Sequence, residues 1–284
     1  MHVLFVASEC APLVKIGGLA DVVGGLPKAL KKSGVDVSIA IPRYESIKDI
    51  NVITVIKIIV SYAGLSEEVK ILESRLPNSE IPVFFFENEK YLSRGPIYNA
   101  KSAEGSDLDY DRFSFFSKAV VEFISSVIPD PIGNPYNSID SRIRGNDMVF
   151  DIIHCHDWHT SWVPLLLKKE NSKIKTLLTI HNLGKAYQGI TKTSPFFPLL
   201  VGEGGGEVNI LLQGIKNADL INTVSPTYAK EIQTQEFGEG LENELNKRKD
   251  SLVGILNGID YDVWNPKTDK FLTTNYSLER SGLI

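Results

Sequence analysis

Val3-Leu4-Phe5-Val6, a wholly apolar run, is followed by Lys15-Ile16-Gly17-Gly18-Leu19-Ala20-Asp21, where a cation and two glycines precede a helical pattern. A continuous apolar strand is what a parallel sheet covered on both faces requires, and the turn after it opens a helix. Such a strand-to-helix turn is also where anions bind. Glycine lets the backbone turn sharply and brings N–H groups close to a ligand, the helix start adds partial positive charge, and Lys15 adds a full one. The spacing is neither that of the dinucleotide fingerprint nor that of the P-loop, so a plain turn is an equal reading at this point.

The same alternation continues along the chain. Strands are expected near 2–8, 35–41, 52–60, 81–87, 149–155, 174–181, 219–224 and 251–256, and helices near 20–32, 111–128, 159–169, 207–217, 225–235 and 239–249. The fold class is α/β, a doubly wound, mostly parallel, Rossmann-like sheet with ligands at the carboxyl ends of its strands. Residues 52–87 carry strands but little helix and predict a hairpin or a β-rich insertion. Residues 129–148, rich in proline and without a sustained period, predict an exposed inserted loop, and Gly202 to Gly206 a second flexible one. Ser225-Pro226 reads as a helix cap followed by proline at the first helical position, and Glu67-Glu68 and Lys247-Arg248-Lys249 as solvated faces.

Composition narrows the function classes. The 284 residues are 43% hydrophobic, with 30 Lys and Arg against 35 Asp and Glu, and the basic residues are scattered. That balance argues against nucleic acid as a partner. No apolar run approaches the roughly 18 residues of a membrane span, and no leader pattern follows Met1, so a cytoplasmic protein without a membrane partner is expected. Two cysteines, Cys10 and Cys155, make no disulfide framework.

Polar residues gather at strand ends. His154-Cys155-His156-Asp157-Trp158-His159 closes one strand, and Thr179-Ile180-His181-Asn182 closes the next. His154 and His156 fall on one face of their strand. The ligand types permit a metal, but the spacing matches no zinc pattern. Packing of the histidines and Trp158 is a second reading. A polar site, in which Asp and His bond sugar hydroxyls and Trp covers a sugar ring, is the favoured third. Leu256-Asn257-Gly258-Ile259-Asp260 forms another strand end and reads equally well as a simple turn.

Six collinear segments resemble the bacterial glycogen synthase and plant starch synthase family: SECAPLVKIGGLADVVGGLPKAL from Ser8, HCHDWH from His154, TIHNL from Thr179, AYQG from Ala186, TVSPTYAKEI from Thr223 and GILNGIDYDVWNP from Gly254. The resemblance implies the amino-terminal half of a two-domain GT-B glycosyltransferase. Its reaction is retaining transfer of glucose from a nucleotide-glucose, ADP-glucose by family, to the non-reducing end of an α-1,4-glucan such as glycogen. It implies no metal and no cofactor, with cations and backbone N–H groups stabilising the departing diphosphate. Asp157 and His181 fall at the reaction. Asp157 is an orienting or electrostatic group and is not assigned as a general base. Lys15, Gly17, Gly18, Asp21, Tyr98, Asn182 and Asn257 fall on the substrate side.

The chain departs from the family pattern at Gly184-Lys185, inserted before Ala186, and over residues 200–216. By the resemblance, residues 1–265 form the amino-terminal catalytic domain and 266–284 begin an interdomain linker. The carboxyl-terminal nucleotide-binding domain is absent, which predicts a truncated chain inactive alone, a vestigial glucan-binding domain, or one half of a split enzyme whose partner is a separately encoded carboxyl-terminal domain.

Overall fold

A computed structural model describes residues 1–99, 108–127, 149–191 and 207–277. The expected insertion at 129–148 and the glycine run at 202–206 lie outside the described residues.

The apolar run forms β1 (His2–Val6), and the glycine loop leads into α1 (Gly18–Lys32). In chain order follow β2 (Asp36–Pro42), β3 (Thr54–Tyr62), β4 (Leu65–Arg75), β5 (Pro82–Glu87), α2 (Asp109–Val127), β6 (Ile152–His156), α3 (Trp162–Lys169) and β7 (Lys175–Ile180). The chain continues with β8 (Ile190–Thr191), β9 (Val208–Asn209), α4 (Ile210–Asn217), β10 (Leu220–Thr223), α5 (Pro226–Glu231), α6 (Glu242–Lys247) and β11 (Leu252–Gly254). Among the described residues the main sheet has nine strands in the order β11-β10-β7-β6-β1-β2-β5-β4-β3, and β8 and β9 form a separate antiparallel pair.

From β11 to β5 every pairing is parallel; β4 and β3 run antiparallel. β2 lies on one side of β1 and β6 on the other, so the winding reverses between β1 and β6. A crevice opens at the carboxyl ends of strands at such a reversal.

Successive residues of the central strands face opposite sides, and each side has its own core. Leu4, Val6, Phe84 and Phe86 pack under α2, whose Phe116 and Phe123 meet Phe86 edge-on. Val3, Phe5, Ile39 and Phe85 pack under Leu19 and Val23 of α1. The loop after β1 presses so closely on α1 that a Cβ on Gly24 would stand 2.3 Å from the Ala11 carbonyl oxygen, a position only glycine can fill.

The segment 52–87 holds the expected hairpin. β3 and β4 are joined by Ala63 and Gly64, both at positive φ, the two-residue turn whose twist matches that of antiparallel strands. β4 was not among the expected strands, because Glu67, Glu68, Lys70 and Glu73 dilute its β-branched content; only the alternation of buried Val69 and Ile71 marks it. Ser225 caps α5 through its hydroxyl, which accepts the Tyr228 N–H at 2.9 Å. Cys10 and Cys155 are free and buried, and burial pushes the Cys10 thiol up to about 12.

Candidate functional site

Both walls of the crevice are built from the ends of the two strands that flank the reversal. On the β1 side the organising residue is Glu9, which is only 3% exposed. Its Oε2 accepts the N–H groups of Ile16 and Gly17, the latter at 2.9 Å, and its Oε1 accepts the Tyr98 hydroxyl. The Tyr98 hydroxyl also lies 2.7 Å from Ser8 Oγ, and Tyr44 donates to the Ser8 carbonyl. One buried carboxylate thereby ties the glycine loop to a segment 89 residues away in sequence.

This arrangement corrects the anion cradle read from sequence. Two loop N–H groups expected to meet an external anion are already held by Glu9. Nor do the glycines turn sharply: Gly17 is extended, at φ −132°, and Gly18 begins the helix. A Cβ at either would meet nothing within 4 Å. Neither backbone angle nor internal packing requires glycine there; its effect is to leave clear space over the start of α1, where the first helical N–H groups lack partners within the helix. Lys15 Nζ bonds Asp21 Oδ1 at 2.6 Å and lies 5.4 Å from the Trp264 ring, so the expected cation is one member of a half-exposed ion pair.

On the β6 side Asp157 performs the corresponding task. It holds a left-handed backbone, φ 54°, that its neighbours over-determine: its N–H donates to the Thr179 carbonyl and its carbonyl accepts the Ser161 hydroxyl. Its Oδ1 accepts the His181 N–H at 2.7 Å and, more distantly, that of Asn182 at 3.4 Å. Burial, with the Glu9 charge adding to it, pushes the Asp157 carboxyl up to about 7, against the two backbone donors.

The histidines form a stack across the sheet. Phe5 contacts His154, His154 stacks on His156 at 4.3 Å, and His156 stacks on His181. Thr179 Oγ1 donates to Asn222 Oδ1 at 2.5 Å, so His154 Nε2, 2.6 Å from the same hydroxyl, is the donor in their bond. His156 Nδ1 meets His181 Nε2 at 2.9 Å. Burial holds His154 at about 3 and His181 at about 4, so both are neutral near pH 7. With Nε2 engaged, His181 has Nδ1 to offer a ligand.

Packing accounts for most of the remaining cluster. Trp158 is 7% exposed, enclosed by Tyr110, Phe113, His159 and Gly189. Gly189 is at φ +62°, and a Cβ there would fall 2.3 Å from the Trp158 ring. Trp158 therefore offers no face to a sugar, contrary to the expectation from sequence. Among the described residues no group of three or more His, Cys, Asp or Glu converges as a metal site. Asn182 spends its Oδ1 on the Gly184 N–H, and the inserted Gly184-Lys185 opens a short turn that leaves Tyr187 exposed while Gln188 is buried. Asn257 is exposed beyond β11, in a segment anchored to α1 by Lys28 and Asp260 at 2.8 Å. Of the expected residues, Lys15, Gly17, Gly18, Asp21 and Tyr98 share the β1 wall and Asp157, His181 and Asn182 the β6 wall. Glu9 and Ser8 were missed; the only signal was a polar pair directly after a buried strand.

A family model described as the starch synthase catalytic domain matches residues 2–247. A glycogen synthase from Geotalea daltonii is 41% identical over 98% of this chain and 56% of its own length, and one from Thermotoga maritima 36% identical over 100% and 57%. The catalytic domain of starch synthase IV from Arabidopsis thaliana, solved with ADP and acarbose, superposes with a TM-score of 0.78 at 33% identity, covering 98% of this chain and 56% of that one. The chain thus spans about 56% of the length of these relatives. No helix among the described residues is long and apolar enough to cross a membrane.

Proposed function

The chain belongs to the starch synthase catalytic-domain family, and from that premise we propose that its crevice is the acceptor-side wall of a glucosyltransferase site. The reaction is transfer of glucose from ADP-glucose to the non-reducing end of an α-1,4-glucan, with retention. The observation that carries the reading is the pairing of two preorganised walls across the winding reversal. The open start of α1 with the Lys15–Asp21 pair faces the donor diphosphate. His181, held by Asp157, faces the sugar.

In this reading Gly17 and Gly18 clear the approach to the unpartnered N–H groups of α1, and Lys15 brings a cation held in place by Asp21. His181 directs Nδ1 to a glucose hydroxyl, and Asp157 fixes that ring and places a carboxyl of adjustable charge beside the reacting carbons. Tyr98 shapes the crevice and Asn257 completes its rim with a sugar contact. The protein works in the cytoplasm, and the remaining length that its relatives possess supplies the opposite wall, from the same or a separate polypeptide.

Retaining transfer needs both walls and exclusion of water between them. The 284-residue polypeptide assayed by itself is therefore expected to bind maltoheptaose while incorporating negligible glucose from ADP-glucose into glycogen. Turnover by this polypeptide would overturn the expectation of a single wall. Absence of maltoheptaose binding, or binding unaffected by His181→Ala, would overturn the acceptor assignment. Restored transfer on adding a carboxyl-terminal partner chain would identify a split enzyme.

A further inference from the structure

The amino edge of the sheet, opposite the crevice, holds a concavity that glucan chemistry leaves unused. A cavity of about 570 Å³ lies between the ends of α3 and α4 and the starts of β7 and β10. Among the described residues five cations line it, Lys168, Lys173, Lys175, Lys216 and Arg248, against one carboxylate, Asp219. This is a local concentration in a chain whose net charge is −5.

Two of the cations are accounted for internally. Lys175 pairs with Asp219 at 3.1 Å. Arg248 donates to the carbonyls of Ile215, Ala218 and Asp219, closing the end of α4. It is thus a lining and capping residue, not the solvated one expected from the Lys247-Arg248-Lys249 run. Lys168, Lys173 and Lys216 are exposed and have no ion-pair partner among the described residues. Neighbouring acids are engaged elsewhere, Glu170 with Lys118 and Asp151 with the amino terminus.

The ordinary role of a lysine in the last turn of a helix is to answer the partial negative charge there, which covers Lys168 and Lys216. Two helix ends contribute roughly one negative charge together. With Asp219 they leave about three positive charges uncompensated by the described residues around one half-open hollow. Lys173 sits on a loop and owes nothing to a helix end. The volume suits a small molecule. Among the described residues no aromatic side chain lines it, so they offer no surface for a nucleobase to stack on. Ser172 and Asn217 offer partners for hydroxyls.

We infer that this cavity binds a small, multiply phosphorylated molecule without an aromatic base, either a sugar bisphosphate or an inorganic oligophosphate, held chiefly by Lys173, Lys216 and Lys168. Lysine suits the task as a point charge for phosphate.

The test is calorimetric titration of the 284-residue chain with inorganic triphosphate and with a hexose 1,6-bisphosphate, at low and physiological salt. The wild-type chain, a Lys173→Gln/Lys216→Gln double variant and a Lys15→Gln variant are compared, each checked for an unchanged melting temperature. Saturable binding weakened at least tenfold in the double variant and unchanged in Lys15→Gln is expected. Preference for one probe identifies the source of the phosphates. No saturable binding at millimolar probe would overturn the inference. So would binding abolished by Lys15→Gln but kept by the double variant, which would move the phosphate to the crevice and leave the glucosyltransferase reading intact.

Discussion

Glu9 and Asp157 stand beyond the ends of adjacent parallel strands, both buried, and each accepts two consecutive backbone N–H groups, Glu9 from its own loop and Asp157 from the end of β7. They differ in the second oxygen. Glu9 uses it on Tyr98, so both of its oxygens are committed to architecture. The second oxygen of Asp157 receives no hydrogen bond from the described residues, and that carboxyl is pushed up to about 7 by burial. A carboxylate with both oxygens engaged makes a fixed wall, whereas one with a single oxygen engaged keeps a proton and a lone pair to respond with. The Asp157 wall also carries the neutral histidines, which makes it the pH-sensitive half of the crevice.

Acid is the strongest way to separate the two walls. His154 and His159 titrate at about 3 and His181 at about 4 when folded, all lowered by burial, whereas an unfolded histidine takes its proton near 6.5. Their contribution to stability is present above that value and lost as pH falls toward the folded values. Asp157 runs the other way: its folded carboxyl keeps a proton up to about 7, so its contribution is present below about 4 and lost as pH rises to 7. The histidines outnumber it. Between pH 6.5 and 4.5 unfolding free energy should fall by on the order of 5 kcal/mol. Urea melts at the two pH values measure this; a flat profile would remove the distinction between the walls.

Glu9→Ala comes next, with an expected loss of about 3 kcal/mol, because it strands two N–H groups and removes one of the two partners of the partly buried Tyr98 hydroxyl. Glu9→Gln should recover most of that loss, since an amide oxygen still accepts from Ile16 and Gly17. Hydrogen exchange at those two amides is the local readout, and equal losses in both variants would show that the hydrogen bonds are not what Glu9 contributes.

For Asp157→Asn a smaller effect of opposite sign is predicted. The amide keeps an acceptor for His181 but cannot ionise, so at pH 8 the variant should be more stable than the wild type by on the order of 1 kcal/mol after the cost of burying its NH2 is subtracted, the gain shrinking as pH falls and gone by about pH 4. Destabilisation at pH 8 would mean that the charge itself is wanted. Smallest is Lys15→Ala: its pair with Asp21 is half exposed, and removal should change the melting free energy by less than about 0.5 kcal/mol.

The βα order, the β-rich departure at 52–87 and the cap at Ser225 were legible because each rests on local periodicity or a local turn residue. His154 and His156 were placed on one face for the same reason. What escaped the sequence is what depends on distant partners. Glu9 gains its role from Tyr98, 89 residues away, and Trp158 loses its free face to Phe113 on another helix. Arg248 reads as one charge in a basic run until the end of α4 is brought beside it. Periodicity reports which face is buried, not which polar group waits on the other side.

The rims of the sheet are unequal: β11 is three residues long and β3 is nine. A short rim strand offers little for another chain to pair with, but the outer edge of β3, unpaired among the described residues, presents a row of backbone donors and acceptors, with Val55 and Ile59 exposed beside it. Lys57, alternating with those two, is the charge that a second β3 would have to desolvate in order to add on. Self-association of this protein at high concentration should therefore begin along β3, with Lys57 as its guard.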